Sequence, residues 1–440
     1  MSRQTPQGLQ PKLRFPEFRD SGDWERCLLT SKVTKVGSGI TPTGGDKNYK
    51  TKGRPFIRSQ NVGWGKLLLN DVAYIDEETH SSFSATEIKS KDVLLNITGA
   101  SIGRSAIAEE KIVGGNVNQH VCIIRVKSNE LLPELLNQFL LSEHGQKQID
   151  GFQAGGNRQG LNFAQVRSFF IPLPTIIKEQ QKIADCLSSL DELIEAERGK
   201  LETLKTYKKG LMQRLFPAEG ETAPKLRFPE FQAAGDWEKK ELGELLINFP
   251  EYGVNEPAVP YSKNLPTYLR ITDISEEGRF LSSNKVSVAI EATGKHFLQN
   301  GDIVLARTGA SVGKSYKYRE EDGKLVFAGF LIRVRPAPTK LDSTFLFNFL
   351  STRQYWKWVN ITSARSGQPG INGSEYASLP VPIPTDKKSR YSLSEQQKIA
   401  DCLSSLDDLI AAQSHKIDVL KEHKKGLMQQ LFPAINEAQA

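Results

Sequence analysis

The chain has 440 residues, 38% hydrophobic and 25% charged, a globular balance with room for two to four domains that excludes an intrinsically disordered chain. It contains no apolar run of the roughly 18 residues needed to span a membrane, and its start, MSRQTPQGLQPKLRF, lacks a signal core, so the cytoplasm is the expected location. The net charge of +7 suits a polyanionic partner such as nucleic acid. The four cysteines (Cys27, Cys122, Cys186, Cys402) lack CxxC spacing and give no reason to expect zinc or a disulfide framework.

In chain order, PKLRFPEF at 11–18 is followed by Gly22-Asp23-Trp24-Glu25 and then by a β-rich stretch. The segments 54–58, 92–97 and 120–126 are short apolar runs bounded by Gly, Asn and Ser and read as strands. A helix is predicted over Glu130–His144. The strand IPLPT at 171–175 then leads into a long helix, from EQQKIADCLSSLD at 179–191 to KTYKKGLMQRLFP at 205–217. After that the order begins again. PKLRFPEF returns at 224–231 and Gly235-Asp236-Trp237-Glu238 follows. The segment 302–315 (DIVLARTGASVGKS) matches 92–105 (DVLLNITGASIGRS), and a helix is predicted over Ser343–Thr352. VPIPT stands at 381–385, EQQKIADCLSSLD recurs unchanged at 395–407, and KEHKKGLMQQLFP closes the series at 421–433. The offset between copies is 213 residues at the start, 210 in the middle and 216 at the helical end, so small insertions fall between fixed anchors.

Between those anchors the copies diverge. The segment 37–53 has no recognisable counterpart near 247–263, and FQAGGNRQG differs from TSARSGQPG. A scaffold held constant while its loops change suits two readers of different sequences. Each copy is read as an α+β unit ending in an amphipathic helix.

Along the first helix, Ile183, Leu187, Leu190, Ile194, Leu201 and Leu204 alternate spacings of three and four; Ile399, Leu403, Leu406, Ile410, Ile417 and Leu420 do so in the second. This is a narrow coiled-coil seam, and each helix is the obvious partner of the other. Antiparallel packing is favoured because the short linker 217–223 would otherwise have to return along the whole rod. A helix from Gln180 to Phe216 would span about 55 Å at ~1.5 Å per residue, which predicts a split DNA site with an unread spacer. In full antiparallel register Glu197 faces Ile417, Gln413 faces Leu201, and Lys208 and Lys424 face Leu406 and Leu190. None of the four is expected to have a polar partner across the seam, and the lysine heads are expected to reach its edge.

Gly309–Ser315 looks like a phosphate-binding loop, but three residues instead of four precede the Gly-Lys-Ser, and Thr308 stands where Gly is required. A tight turn after a strand is the better reading, offering Arg104 and Lys314 to DNA phosphates. Neither an (Asn/Asp)-Pro-Pro-(Tyr/Phe) loop, nor a Gly-rich cofactor loop, nor a metal-ligand spacing among the six histidines is found, so no catalytic site is expected. Side chains with the paired donors and acceptors that read base edges cluster in the divergent loops. They are Arg58, Gln60, Asn61, Asn157, Arg158, Gln159 and Asn162 in the first unit, and Arg270, Thr272, Asp273, Arg365, Gln368 and Asn372 in the second.

The order of head, EQQKIADxLSxLD helix, head and EQQKIADxLSxLD helix, with the IPLP strand and the Thr-Gly-Ala-Ser-Ile/Val-Gly turn, resembles the specificity subunit of Type I restriction-modification systems over almost the whole chain. The resemblance implies two repeated α/β target recognition domains joined by two long helices in an antiparallel coiled coil. The segments are then 1–175 and 218–390 for the recognition domains, and 176–217 and 391–440 for the helices. It implies double-stranded DNA as ligand, each head reading half of a bipartite asymmetric target, and two modification subunits and two restriction subunits as partners. S-adenosylmethionine, ATP and magnesium are expected on those partners and none on this chain. A subunit serving a methyltransferase alone, or a free-standing two-headed DNA-binding regulator, stays open as an alternative.

Overall fold

The computed structural model describes residues 8–42, 44–153, 160–364, 369–386 and 391–433. The chain divides into two compact units that do not follow its linear order. One holds the residues up to Arg198 together with those from His415 onward, and the other holds 199–414.

In the first unit the strands are β1 (Glu25–Leu28), β2 (Val33–Ser38), β3 (Arg54–Ile57), β4 (Ala73–Ile75), β5 (Val93–Asn96), β6 (Ser105–Ile107), β7 (Asn116–Val117), β8 (Val121–Val126) and β9 (Phe170–Leu173). An antiparallel sheet runs β2-β8-β5-β6, a smaller one β4-β3-β7 with β3 and β7 parallel, and β1 pairs with β9. The runs expected at 54–58, 92–97 and 120–126 are therefore β3, β5 and β8. Helices α1 (Glu77–Ser82), α2 (Pro133–Leu141), α3 (Glu143–Gln153) and α4 (Phe163–Arg167) precede the long α5 (Ile177–Leu215).

The helix expected over Glu130–His144 starts at Pro133, which suits a first helical position, and stops at Leu141. Ser142 ends it by capping the next helix, its Oγ accepting the Gly145 N–H at 3.2 Å. The second unit repeats the device: the helix from Ser343 ends at Phe349, and Thr352 Oγ1 accepts the Tyr355 N–H at 3.3 Å to open Arg353–Ser363.

The second unit contributes β10 (Glu238–Glu241), β11 (Glu251–Tyr252), β12 (Ala258–Pro260), β13 (Thr267–Leu269), β14 (Val286–Val288), β15 (Ile303–Ala306), β16 (Ser315–Lys317), β17 (Leu325–Phe327), β18 (Leu331–Val334) and β19 (Pro380–Ile383). Its sheets run β11-β18-β15-β16 and β12-β14-β13-β17, with β10 against β19, so the topology of the first unit returns with one added edge strand, β12. The helices are α6 (Ser343–Phe349), α7 (Arg353–Ser363), α8 (Gly373–Ala377) and α9 (Leu393–Leu431). The divergent segments 37–53 and 247–263 share one fixed point. A Cβ on Gly39 would lie 1.6 Å from the Val117 carbonyl oxygen, and one on Gly253 would lie 2.2 Å from that of Phe327. Only glycine allows those approaches.

The repeated blocks build the same junction in each unit. Arg14 Nε and Nη2 donate to the two oxygens of buried Glu179 at 2.7 and 2.8 Å, and Arg227 does the same to Glu395 at 2.7 and 2.7 Å. The hydrogen bonds that Arg14 donates to Glu179 hold the Arg14 pKa above its ordinary value. Gln180 accepts from the Leu132 N–H and donates to the Glu130 and Pro174 carbonyls; Gln396 accepts from Asp342 and donates to Lys340. Lys182 pairs with Glu17 and Lys398 with Glu230. Each octapeptide also meets the end of the opposite helix, Leu13 N donating to the Gln430 carbonyl and Leu226 N to that of Arg214.

The helix ends complete the cores. Met428 and Leu431 of α9, with Phe432 just after it, join Trp24, Leu136 and Phe139 in the first unit, where the Phe432 and Phe139 rings lie 5.5 Å apart. Met212 and Leu215 of α5, with Phe216 just after it, join Trp237, Phe345 and Phe349 in the second. Part of the predicted seam is absorbed in the same way: Ile183 and Leu187 belong to the first core, Ile399 and Leu403 to the second.

The two helices pair antiparallel within each unit. Ile194 and Ile417 are buried, whereas Leu190, Leu201, Leu204, Leu406, Ile410 and Leu420 are half-buried. The expectation of unpartnered polar seam residues is corrected. Lys208 Nζ donates to both Asp407 oxygens at 2.7 Å, Lys424 Nζ to both Asp191 oxygens at 2.6 Å, and Lys416 pairs with Glu197. A three-and-four spacing pairs each polar residue only with its opposite number across the seam. The partners are instead the neighbours of those opposite residues, Asp407 after Leu406, Asp191 after Leu190 and Lys416 before Ile417. Gln413 is buried.

This arrangement makes the N-terminal head depend on the C-terminal end of the chain. Phe432→Ala is expected to cost the first unit about 3–5 kcal/mol. Hydrogen exchange on the full chain should show lost protection at β5 and β8 with β15 and β18 unchanged; equal loss in both units would contradict the packing.

Candidate nucleic-acid interface

In the first unit, the loops after β3 and β5 and the loop before β8 are hydrogen-bonded into one rim. Asn96 Nδ2 donates to the Ser59 carbonyl at 2.8 Å, Asn118 N to that of Ile57 at 2.9 Å, and Ile97 N to that of His120 at 3.0 Å. Leu161 N donates to the Ile97 carbonyl at 2.8 Å, and Thr98 bridges Gly160, which brings the chain before α4 to the same place. Thr98 Oγ1 and His120 Nδ1 lie 2.5 Å apart, and Gln119 Nε2 is 3.4 Å from His120 Nε2. Below the rim, Asp92 caps the turn before β5 and takes both arms of Arg125 at 2.7 Å.

The second unit repeats the backbone links with other side chains. Arg307 N donates to the Phe330 carbonyl at 3.1 Å, Ile371 N to that of Arg307 at 2.9 Å, and Thr308 bridges Gly370. Asp302 takes Arg335 as Asp92 takes Arg125. The Arg307 guanidinium lies 4.9 Å from the centre of the Tyr252 ring. In both units the Thr-Gly-Ala-Ser turn has its first glycine at positive φ, +72° at Gly99 and +73° at Gly309, which accounts for that invariant residue.

Several of the anticipated side chains are engaged locally. Asn61 is 1% exposed and its amide is fully used: Oδ1 accepts the Arg58 N–H, and Nδ2 donates to the Leu68 and Asp71 carbonyls. Asp273 is its counterpart, accepting from the Arg270 N–H and from the Arg270 guanidinium at 2.9 and 2.8 Å. These two residues stabilise a turn and present nothing to a base edge, which corrects their place among base readers. Arg58 and Gln60 both donate to Asp71, at 3.1 and 2.7 Å. Exposed Thr272 adjoins Asp273.

Asn162 and Asn372 are helix caps, accepting the N–H of Gln165 and Glu375 while those side chains accept in return. Arg104 is half-buried with no side-chain partner among the described residues. Lys314 is tied to Glu276 at 2.8 Å. The turn before Lys314 runs into a strand, β16, and so lacks the helix N-terminus on which a phosphate cradle depends. Asn157, Arg158, Gln159, Arg365 and Gln368 lie outside the described residues.

The rim residues missed from sequence are Asn118, Gln119 and His120 in the first unit and Tyr252, Arg307 and Phe330 in the second. One signal was available. Within the matched blocks 92–105 and 302–315, only Asn96/Ala306 and Ile97/Arg307 change chemical character.

Two α/β units of one topology, each carrying a loop rim and sharing a pair of antiparallel helices, define a duplicated recognition-type chain. The family profile of the Type I restriction modification DNA specificity domain matches residues 32–206 and again 234–422. A putative specificity subunit of the Type I restriction enzyme MjaX from Methanocaldococcus jannaschii is 25% identical over 424 residues, 93% of each chain. The EcoKI specificity subunit of Escherichia coli K12 is 24% identical over 360 residues, 76% of this chain and 72% of that one. The crystal structure of a Type I S subunit from M. genitalium superposes with a TM-score of 0.58 at 15% identity, covering 97% of this chain and all of that one. The chain belongs to the Type I restriction-modification specificity-subunit family. Among the described residues no helix is long and apolar enough to cross a membrane.

The local role of Asn61 is testable. Asn61→Ala is expected to lower stability by about 1–3 kcal/mol through unsatisfied backbone groups. A denaturation series on the full chain checks this, and an unmoved midpoint would contradict it.

Proposed function

We propose that this chain is the non-catalytic DNA-reading subunit of a Type I restriction-modification complex. Each unit reads one half of a bipartite, asymmetric duplex target, and the paired helices set the unread spacer while docking two modification subunits. Two restriction subunits complete the assembly, and S-adenosylmethionine, ATP and magnesium reside on the partners.

The observation that carries this reading is one scaffold, matched in sheet topology but for the added edge strand β12, bearing two rims of different chemistry. A constant frame with variable loops is what reading two unrelated half-sites requires. The net charge of +7 supplies attraction to phosphate without specifying sequence. The helices support docking of a partner present in two copies. Gln181 with Asp185 and Gln397 with Asp401 face solvent, and Lys209 and Lys425 are exposed without a partner among the described residues. These residues are the same in both copies.

The test is base-resolved adenine methylation of a genome in cells that hold the cognate modification subunit, with and without this chain. A bipartite motif methylated only when the chain is present is the expected result. Methylation that is the same in both cells would remove the reading.

A further inference from the structure

We propose that Arg307 and Phe330 in the second unit, and the matched Ile97 and His120 in the first, select the base pairs read by each unit. This rests on the DNA-reading function proposed above. The four residues occupy one equivalent place, joined by the same backbone hydrogen bond, Ile97 N to the His120 carbonyl and Arg307 N to that of Phe330. The Thr-Gly-Ala-Ser turn beside them is identical in both copies and cannot tell one sequence from another. Their own chemistry changes completely.

Arg307 differs from the other two candidate cations of its unit among the described residues. Arg270 is bound to Asp273 and Lys314 to Glu276, so each is neutralised by a carboxylate. Arg307 has no carboxylate partner among the described residues. Its guanidinium rests over Tyr252, whose Oη in turn accepts the Gly373 N–H at 2.9 Å. Among the described residues only Nη1 has a partner, a long 3.5 Å bond to the Gly329 carbonyl, and the buried Nε has none. A guanidinium held against an aromatic ring loses less freedom on binding, and its fork matches O6 and N7 of guanine. Beside it the Phe330 ring is 63% exposed, suited to contact with a thymine methyl group.

Among the described residues the first unit has no cation at this place. The Ile97 side chain offers no donor, and the polar function passes to His120 and Gln119, with Asn118 Oδ1 accepting the His120 backbone N–H at 3.0 Å. The half-site read by the second unit therefore contains a G·C pair recognised by the Arg307 fork. The half-site of the first unit is recognised at the equivalent place by imidazole and amide hydrogen bonds.

The experiment uses the full chain co-expressed with its modification subunit and reads the methylated motif genome-wide for wild type, R307I, R307K and H120F. R307I and H120F each install the apolar or aromatic residue that the other unit already carries at that place. R307I is expected to relax a G·C position in one half-site only, and H120F to alter the other half-site only, with the spacer unchanged. R307K keeps the charge but loses the fork, so methylation of the original motif should fall about tenfold or more. Should R307I prove unfolded by hydrogen exchange in the second unit, R307K decides. An unchanged motif and level in both R307K and H120F, or a change shared by both half-sites, overturns the proposal. A wild-type chain that directs no motif removes the underlying reading, and the proposal with it.

Discussion

The buried, bidentate pairing of Arg14 with Glu179, and of Arg227 with Glu395, is the contact on which the rest of each unit depends. It joins the octapeptide at the start of a repeat to the first turn of the helix at its end, across 165 residues in one case and 168 in the other. A carboxylate withdrawn from water is tolerated only when its charge and lone pairs are met. Both oxygens of Glu179 are met by Arg14, and the Trp24 indole donates a further bond at 3.1 Å. In the first unit this ties three separate repeated motifs, PKLRFPEF, Gly-Asp-Trp-Glu and EQQK, into one contact. In the second unit Arg227 and Glu395 tie PKLRFPEF to EQQK in the same way, while the Trp237 indole packs in the core with its Nε1 lacking a partner among the described residues.

The same economy extends to the helix ends. GLMQRLFP and GLMQQLFP are alike because Phe216 and Phe432 fill equivalent places in two cores. Each core thus takes the start of one helix and the end of the other, so neither helix belongs to a single unit. A frame closed in this way leaves the rim loops free to vary, since none of the junction residues lies in them. Divergence such as Ile97 to Arg307, or His120 to Phe330, changes the chemistry of the rim without touching the frame.

The duplication, the α+β class and the two long helices were legible in the sequence because they rest on repetition and on apolar periodicity. The polar seam partners were not. A three-and-four spacing identifies the facing apolar residues, but Asp191, Asp407 and Lys416 stand one position away from them. Asn61 and Asp273 looked like base readers because a cap and a base contact use the same side-chain groups; only the geometry shows that the turn consumes them. Gly39 and Gly253 correspond through a close backbone approach that leaves no readable similarity around them. Ile97 and Phe330 were not legible because their apolar side chains lack the paired donors and acceptors that mark a base reader in sequence.

The most direct measurement of the central claim, that the repeated blocks exist to build one head-to-helix junction per unit, is a double-mutant cycle on Arg14 and Glu179. Stability is read separately in the two units by hydrogen exchange on the full chain. R14M and E179M should each cost the first unit about 3–5 kcal/mol, because each strands a buried charge. The double variant should recover most of that loss, and the second unit should be unaffected throughout. Losses that simply add in the double variant, or that appear equally in the second unit, would contradict the account.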